Sequence, residues 1–267
     1  MKRPEYPKAS VLKKVITGIV MLVVFVIALA LLTGWTPSGH YTPGGGSVEI
    51  TAPVAHSKIY IDNKEVTETK TANEKYNASK FSEKNHTIAV SQKGYWPWIK
   101  NIFVAKGKTV ALTSFNLPQK ITAKTLETSD SKYSNLWSLF LRHSPPDENS
   151  KITSSDGNYA IWSDGGTIFT EWIGKKEDTP EFFCTEGACA TRIEVLNSTL
   201  NIDDVTFYPN RFDVLIFSNE DGIFAIEINK DGTQNFQPVL PLPSALLITS
   251  DNTLYIKAGD SIRYLEL

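Results

Sequence analysis

The chain of 267 residues has two hydrophobic patterns, a continuous one near its start and an alternating one through most of the remainder. Residues 15–32 contain no charged residue and no proline. Because an α-helix rises about 1.5 Å per residue, about 20 such residues cross the roughly 30 Å hydrocarbon core of a bilayer. We therefore expect a transmembrane helix over residues 15–34. From residue 47 onward, short stretches alternate apolar and polar residues, which predicts β-strands.

The charges around the apolar run predict its orientation. No lysine or arginine follows the run before Lys58, whereas five precede it: Lys2, Arg3, Lys8, Lys13 and Lys14. Basic residues flank the cytoplasmic side of membrane helices. We therefore expect residues 1–14 to form a basic cytoplasmic tail, and the chain beyond Trp35 to lie outside the cytoplasm.

A cleavable signal peptide is the alternative interpretation of the same run. The residues Ala28-Leu29-Ala30 match the small-x-small pattern of a cleavage site. The apolar run continues beyond this point and exceeds the 7–15 residues that are typical of a signal peptide, which favours a retained anchor. No cysteine stands near the end of the run, so a lipoprotein anchor is not supported.

A flexible tether and a small β domain are predicted next. Residues 35–46 contain prolines and glycines without an apolar run, which is typical of a linker. Residues 47–117 then alternate in about five short stretches, and two turn signals lie between them. One is Asp62-Asn63, since Asn tolerates positive φ, and the other is a hairpin turn at Lys106-Gly107.

Residues 45–117 resemble the PEGA domain in the order of their short strands and turns. The resemblance implies a small extracytoplasmic β-sandwich-like domain of the kind found tethered or fused in bacterial and archaeal surface proteins. The matching positions are Val48, Ile50, Pro53, Ile59, Tyr60, Ile61, Asp62, His86, Val90, Gly94, Tyr95, Gly107 and Leu112.

Residues 118–150 are polar at both ends, and we interpret them as a connector whose central apolar cluster docks on a neighbouring domain. The cluster comprises Leu136, Trp137, Leu139, Phe140 and Leu141. Residues 151–267 then contain three similar stretches, each with an apolar strand, a Gly/Asp turn and a second apolar strand. They are residues 157–173, 213–228 and 252–267.

These hairpins resemble the blades of a β-propeller, and residues 208–240 resemble WD40-type regions found behind membrane anchors and PEGA segments in bacterial proteins. A blade takes about 40–45 residues. The roughly 120 residues available supply about three blades, whereas a complete propeller has at least four. We therefore expect a partial propeller, a compact sandwich derived from blades, or a half that pairs with another chain.

The charge is unevenly distributed along the chain. Residues 1–34 carry a net charge of +4, residues 35–120 of +5 and residues 121–267 of −11, which together give −2. The basic part can contact anionic lipids or wall polymers, although lysines that only solubilise a small β domain would give the same pattern. No arginine-rich stripe or basic helix indicates nucleic-acid binding.

Cys184 and Cys189 are the two cysteines of the chain. Gly187 can form a turn that brings two strands within disulfide distance, so we predict a bridge with a local and modest effect on stability. Two free thiols are the alternative. A metal site would need two more ligands, and the histidines are scattered without suitable spacing.

Four tryptophans are candidate ligand-binding residues. Trp96 and Trp98 flank Pro97, and alternation predicts that at least one of them is exposed beside Lys93 and Lys100. In the distal domain, Trp162 and Trp172 could line a face that stacks on sugar rings or peptides, together with Phe183. Packing in the core is the alternative for all of these rings.

No catalytic motif is recognisable in the sequence. There is no Gly-x-Ser-x-Gly elbow and no phosphate-binding loop between a strand and a helix. Adjacent acidic residues such as Asp203-Asp204 would face opposite sides of a strand. We therefore predict an all-β exterior behind one transmembrane helix, and a non-enzymatic binding or structural protein of the cell envelope without cofactors. The alternative is a surface sensor that binds a carbohydrate or peptide.

Overall fold

A computed structural model describes residues 45–185, 188–250 and 252–267, and these residues form mostly β-structure in several sheets. The all-β prediction is therefore confirmed for this part of the chain. None of its helices is long and apolar enough to span a bilayer. The predicted transmembrane helix at residues 15–34, residues 35–44 of the predicted tether and the turn at Gly187 lie outside the described residues, whereas Gly46, the last residue of the predicted tether, begins the first strand.

The described residues divide into two compact units, and the first comprises residues 45–51, Lys75–His86 and Phe103–Thr113. It contains a three-stranded sheet with the strand order β4-β1-β7. These strands are β1 (Gly46–Ala52), β4 (Glu74–Phe81) and β7 (Thr109–Thr113). β1 and β7 are parallel, with Ser47 opposite Thr109. Alternate residues of β1, among them Val48 and Ile50, are buried as the sequence pattern requires.

The second unit comprises Ala52–Glu74, Thr87–Ile102 and Ser114–Leu267. Most of a four-stranded sheet with the order β3-β2-β5-β6 belongs to it. These strands are β2 (Lys58–Ile61), β3 (Lys64–Glu68), β5 (Lys84–Ser91) and β6 (Trp98–Val104). Asp62 and Asn63 have φ values of 49° and 65°, so the predicted tight turn joins β2 to β3.

The turn at Lys106-Gly107 is present, but it does not close a hairpin. Gly107 has a φ of 71°, and its N–H donates to the carbonyl of Gly45 at 3.3 Å. Ser47 N–H donates to the carbonyl of Lys108 at 2.8 Å. These bonds direct the chain along β1, so β7 pairs with β1 and not with β6. The hairpin prediction was wrong because turn residues alone do not determine which strand becomes the partner.

Three further four-stranded sheets lie in the distal part of the second unit. The first distal sheet contains β9 (Ile152–Thr153), β10 (Tyr159–Asp164), β11 (Thr167–Trp172) and β14 (Arg192–Asn197). The second distal sheet contains β15 (Asp204–Phe207), β16 (Val214–Asn219), β17 (Gly222–Glu227) and β18 (Phe236–Leu240). The third distal sheet contains β19 (Leu246–Ser250), β20 (Thr253–Ala258), β21 (Ser261–Glu266) and β8 (Lys124–Thr125).

The three predicted distal hairpins are present as β10–β11, β16–β17 and β20–β21. All residues of β16 are buried, in agreement with its apolar sequence on both faces. One hydrophobic core joins the first and second distal sheets. Its buried members are Ile161, Ile168, Val195, Ile202, Val205, Phe207, Leu215, Phe217, Ile226 and Ile228.

The apolar cluster of the predicted connector is an α-helix, α1 (Tyr133–Arg142). Leu136 and Phe140 lie four residues apart on its buried face, and they pack against Tyr255 and Ile262 of the third distal sheet. The predicted docking of the cluster is therefore present, within the same compact unit. The spacing of Leu136 and Phe140 at i and i+4 is a sequence signal for a helix, whereas we predicted only an apolar cluster.

The residues after α1 reach the other two distal sheets. His143 Nε2 lies 2.7 Å from Oδ2 of Asp204 on β15, and the same oxygen accepts the N–H of Leu247 at 2.7 Å. The carbonyl of Pro146 accepts the N–H of Ser163 on β10 at 3.0 Å. The connector therefore contacts all three distal sheets and holds them together.

Candidate functional site

Alternation along β6 directs Trp98 and Lys100 to the buried face of the strand. The indole N–H of Trp98, a residue that is 1% exposed, donates to Oε1 of Glu227 at 2.5 Å. Lys100 is 3% exposed, and its ammonium donates to Oε2 of Glu227 at 3.2 Å and to the carbonyl of Asn229 at 2.8 Å. Strand β6 of the β3-β2-β5-β6 sheet is thus bonded to the end of β17.

A buried ion pair is stable only when further hydrogen bonds satisfy its polar atoms. Asn235 provides two of these bonds, since its backbone N–H and its side-chain amide donate to Oε2 of Glu227 at 3.2 and 3.0 Å. The carboxylate of Glu227 therefore accepts four hydrogen bonds in total, although the residue is only 5% exposed. Without these donors, burial of the carboxylate would be strongly unfavourable.

Two side-chain amides take the place of a neighbouring strand. The amide of Asn235 accepts from the N–H of Ile99 and donates to the carbonyl of the same residue, both at 2.8 Å. On β18, the amide of Gln237 accepts from the N–H of Leu117 at 2.8 Å and donates to the carbonyl of Phe115 at 3.0 Å. Buried backbone groups that lack a strand partner are satisfied in this way.

We call Trp98, Lys100, Glu227, Asn235 and Gln237 the polar clasp. Its members come from β6, from the end of β17, and from the segment that leads into and along β18. Every bond of the clasp lies within the second unit. The polar clasp is a structural joint, because its side chains are occupied by hydrogen bonds to one another and to backbone groups of the same unit.

The structure therefore places the two tryptophans beside Pro97 in different surroundings. Trp98 belongs to the polar clasp and offers no surface to a ligand. Lys100, which we expected beside an exposed tryptophan, is buried with it. Trp96 is half-buried, and its backbone N–H donates to the carbonyl of Leu117 at 2.8 Å. Of this pair, Trp96 is the ring that can contact a ligand.

Trp162 lies on the side of the first distal sheet that faces away from the core shared with the second distal sheet. It is directly opposite Phe169, and the two rings stack with centroids 5.3 Å apart. The ammonium of Lys151 lies 4.3 Å from the indole centroid, and the guanidinium of Arg192 lies 5.0 Å from that of Phe169. With 1% of its surface exposed, Trp162 is not an open stacking platform.

Trp172 lies on the opposite face of the same sheet. Its partner across the strands is Tyr159, which is three residues before Trp162, and residues an odd number apart in a strand point to opposite faces. The rings of Tyr159 and Trp172 meet edge to face at 4.9 Å, and Phe183 lies 6.4 and 6.5 Å from them. Trp172 is half-buried, and its indole N–H donates to the carbonyl of Lys175 at 2.9 Å. Trp162 and Trp172 therefore do not form one site.

Tyr159, Trp172, Phe182 and Phe183 form what we call the aromatic cluster. Burial raises the pKa of Tyr159 to about 12, and the negative charges of Asp156 and Asp213 act in the same direction. The neutral phenol is therefore favoured beside the other rings.

The two sulfur atoms of Cys184 and Cys189 are bonded in the structure. The cysteines face each other across the short hairpin of β12 (Cys184–Thr185) and β13 (Ala188–Cys189). Cys184 directly follows Phe183, so the bridge lies next to the aromatic cluster. Within the described residues, no group of His, Cys, Asp and Glu side chains is arranged to hold a metal ion.

No family model matches the chain, and no curated protein matches it. Among solved structures, it is similar to a protein of unknown function from Bacteroides fragilis NCTC 9343 that is provisionally described as membrane-associated. The two share 9% identity with a TM-score of 0.23, over 83% of this chain and 94% of the other. A similarity of this extent supports no conclusion about the function of the chain.

Sequence reasoning did not find Glu227, Asn235 or Gln237. For the two amides, the signal in the sequence is the alternation in residues 235–239, which puts Asn235, Gln237 and Val239 on one face. Amides are common on exposed faces, so the pattern alone predicts solvent contact for them. Burial here depends on partners more than 100 residues away, at Ile99 and Leu117.

We predict that Lys100→Met destabilises the protein by about 3–5 kcal/mol, because it leaves the buried Glu227 carboxylate without its cation. Adding Glu227→Gln should recover much of this loss, since a neutral amide still accepts the Trp98 hydrogen bond. Denaturant unfolding of residues 45–267 measures both effects. Lys58→Met is the matched control, because the Lys58–Glu65 pair is exposed, and it should leave the midpoint unchanged. Additive losses in the double variant would contradict the prediction.

We predict that Tyr159 and Tyr208 ionise only at high pH. Burial raises the pKa values of both Tyr159 and Tyr208 to about 12. Because the folded state favours the neutral phenols, their stabilising contribution is complete below pH 10 and is lost as the pH rises through about 12. Ultraviolet titration should show a late step that Tyr159→Phe and Tyr208→Phe each reduce. A titration that has no late step, or a late step that neither substitution reduces, would refute this assignment.

Proposed function

We propose that the chain is a single-pass membrane protein whose exterior part is a non-catalytic binding or structural component of the cell envelope. The observation that carries the proposal is the uncharged run of residues 15–32, with basic residues before it and none after it until Lys58. In this proposal the N-terminus is cytoplasmic, and residues 47–267 are extracytoplasmic. The disulfide between Cys184 and Cys189 supports an oxidising location.

The exterior part consists of a PEGA-like domain and a propeller-like domain in this proposal. The seven short strands between residues 46 and 113 support the first assignment, since the resemblance implies a small domain built from short β-strands. Three four-stranded sheets, two of them simple meanders in sequence order, support a partial propeller of three blades. The connector supports closure without a fourth blade, because it contacts all three distal sheets.

Trp96 is the candidate contact of this exterior part with an envelope polymer or protein. Its ring is half-buried and lies next to the exposed Pro97 and close in sequence to the exposed Lys93. A ring with one accessible face can stack on a sugar or a peptide bond. The polar clasp holds the neighbouring backbone through Trp98 and Ile99, so the surface around Trp96 is fixed before a ligand arrives.

A surface sensor that binds a carbohydrate or peptide is the second candidate function. The observation that favours it is the half-buried Trp172 at the end of β11. A partly accessible aromatic ring can stack on a sugar or a peptide. Trp162 is not part of this candidate surface, since it lies on the opposite face of the sheet.

We predict that the wild-type chain stays in the membrane pellet after alkaline extraction. Val24→Lys with Ile27→Lys should release it, because each charge at the centre of a span costs about 2.5–3.5 kcal/mol. A cytoplasm-side tag on Met1 tests orientation, since it should resist protease added outside the cell. Recovery of the wild-type chain in the soluble fraction, or loss of the tag by cleavage near Ala30, would rule out the anchor.

We predict that Trp96→Ala weakens sedimentation of residues 45–267 with purified envelope, because it removes the accessible ring. Trp172→Ala serves as the comparison, and it should leave sedimentation unchanged. Circular dichroism confirms that both variants fold. The sensor function is favoured if Trp172→Ala is the variant that loses binding, and neither ring is the contact if both variants bind like the wild type.

A further inference from the structure

The disulfide hairpin contributes little to global stability. Cys184 and Cys189 are five residues apart in sequence, so the bridge closes a very short loop and removes little entropy from the unfolded chain. The strands of the hairpin have two residues each, and the following residues up to Arg192 are exposed. The effect of the bridge must therefore be sought in its immediate surroundings.

The segment from Lys175 to Ala190 has one buried side chain among its described residues, that of Phe183. This ring packs against Tyr159, Trp172 and Phe182 in the aromatic cluster. The N–H of Ala190 donates to the carbonyl of Phe183 at 2.9 Å, across the hairpin that the bridge closes. The position of Phe183 thus depends on the hairpin, and the hairpin depends on the bridge.

The bridge is accessible from one side. Cys189 is exposed, whereas Cys184 is half-buried with its sulfur 3.7 Å from the carbonyl oxygen of Pro180. A thiolate can approach the sulfur of Cys189, and the departing Cys184 sulfur then lies where its thiol can donate to Pro180. Exposed disulfides are the class that exchanges with thiols and that serves regulatory roles.

We propose that the Cys184–Cys189 bridge is a reversible thiol-exchange site that controls access to the aromatic cluster. One thiolate of a dithiol reductant attacks Cys189, and the Cys184 sulfur leaves as a thiolate that takes up a proton. The second thiol of the reductant then attacks the mixed disulfide at the reductant's own sulfur and releases Cys189. The reductant loses two electrons and two protons to the protein and becomes a cyclic disulfide.

Opening the bridge releases the hairpin, so Phe183 loses its fixed position and uncovers Tyr159 and Trp172. The sheet beneath stays intact, because β10 and β11 are paired over their full length and their core residues Ile161 and Ile168 are buried. The inference concerns the bridge and the aromatic cluster alone, so it holds or fails independently of the membrane anchor.

The test uses the full chain in detergent micelles, with and without dithiothreitol under native conditions. We expect both cysteines to become available to iodoacetamide, and the Ala190 amide to exchange with deuterium at least about tenfold faster after reduction. Acrylamide should quench Trp172 more strongly in the reduced protein, as the difference from Trp172→Phe shows. The midpoint of global unfolding should not change.

Cys184→Ser with Cys189→Ser is the matched variant, since it is permanently open. It should reproduce the exchange rate and the quenching of the reduced protein, and dithiothreitol should have no effect on it. Three results would overturn the proposal: cysteines that react only after denaturation, a reduced protein with unchanged Ala190 exchange and Trp172 quenching, or reduction that unfolds β10 and β11.

Discussion

The fold depends on how one buried carboxylate is neutralised. Glu227 has four hydrogen-bond donors, and two of them come from Trp98 and Lys100, which precede it by more than 120 residues. A carboxylate at this depth without partners would cost several kcal/mol, so the end of β17 is stable only when β6 is in place. Polar groups therefore determine where the β3-β2-β5-β6 sheet joins the distal sheets. Apolar burial alone would be less directional and would fix this position less precisely.

This dependence changes where the boundaries between the predicted domains lie. The linear organisation predicts a small domain at 47–117, a connector at 118–150 and a distal domain at 151–267. In the structure, Thr87–Ile102 and Ser114–Leu267 belong to the same compact unit. The carbonyl of Phe115 and the backbone N–H of Leu117 form hydrogen bonds with the side-chain amide of Gln237. Removal of residues 45–117 would therefore leave the clasp residues of β17 and β18 without their partners.

Local sequence patterns predicted the strands well, because the alternation of apolar and polar residues directly reflects which face is buried. The three distal hairpins are examples, since each has a turn with Gly at the right place. The same patterns did not predict α1, because ten residues with only two buried positions resemble an irregular apolar cluster. They also could not distinguish Trp96 from Trp98. Trp98 is buried because its indole N–H donates a hydrogen bond to Glu227. A local sequence pattern cannot predict a hydrogen-bond acceptor that is so distant in the sequence.

Native-state hydrogen exchange at Ile99 and Leu117 tests the role of the clasp most directly, because both amides donate to clasp side chains and to no strand. If the clasp makes β6 an integral part of the second unit, both amides exchange only through the unfolding event that also exposes β16. The free energy of opening is then the same for Ile99, Leu117 and the amides of β16. If Ile99 and Leu117 exchange through a lower-energy opening while the amides of β16 stay protected, the two parts separate without unfolding, and the central claim is contradicted.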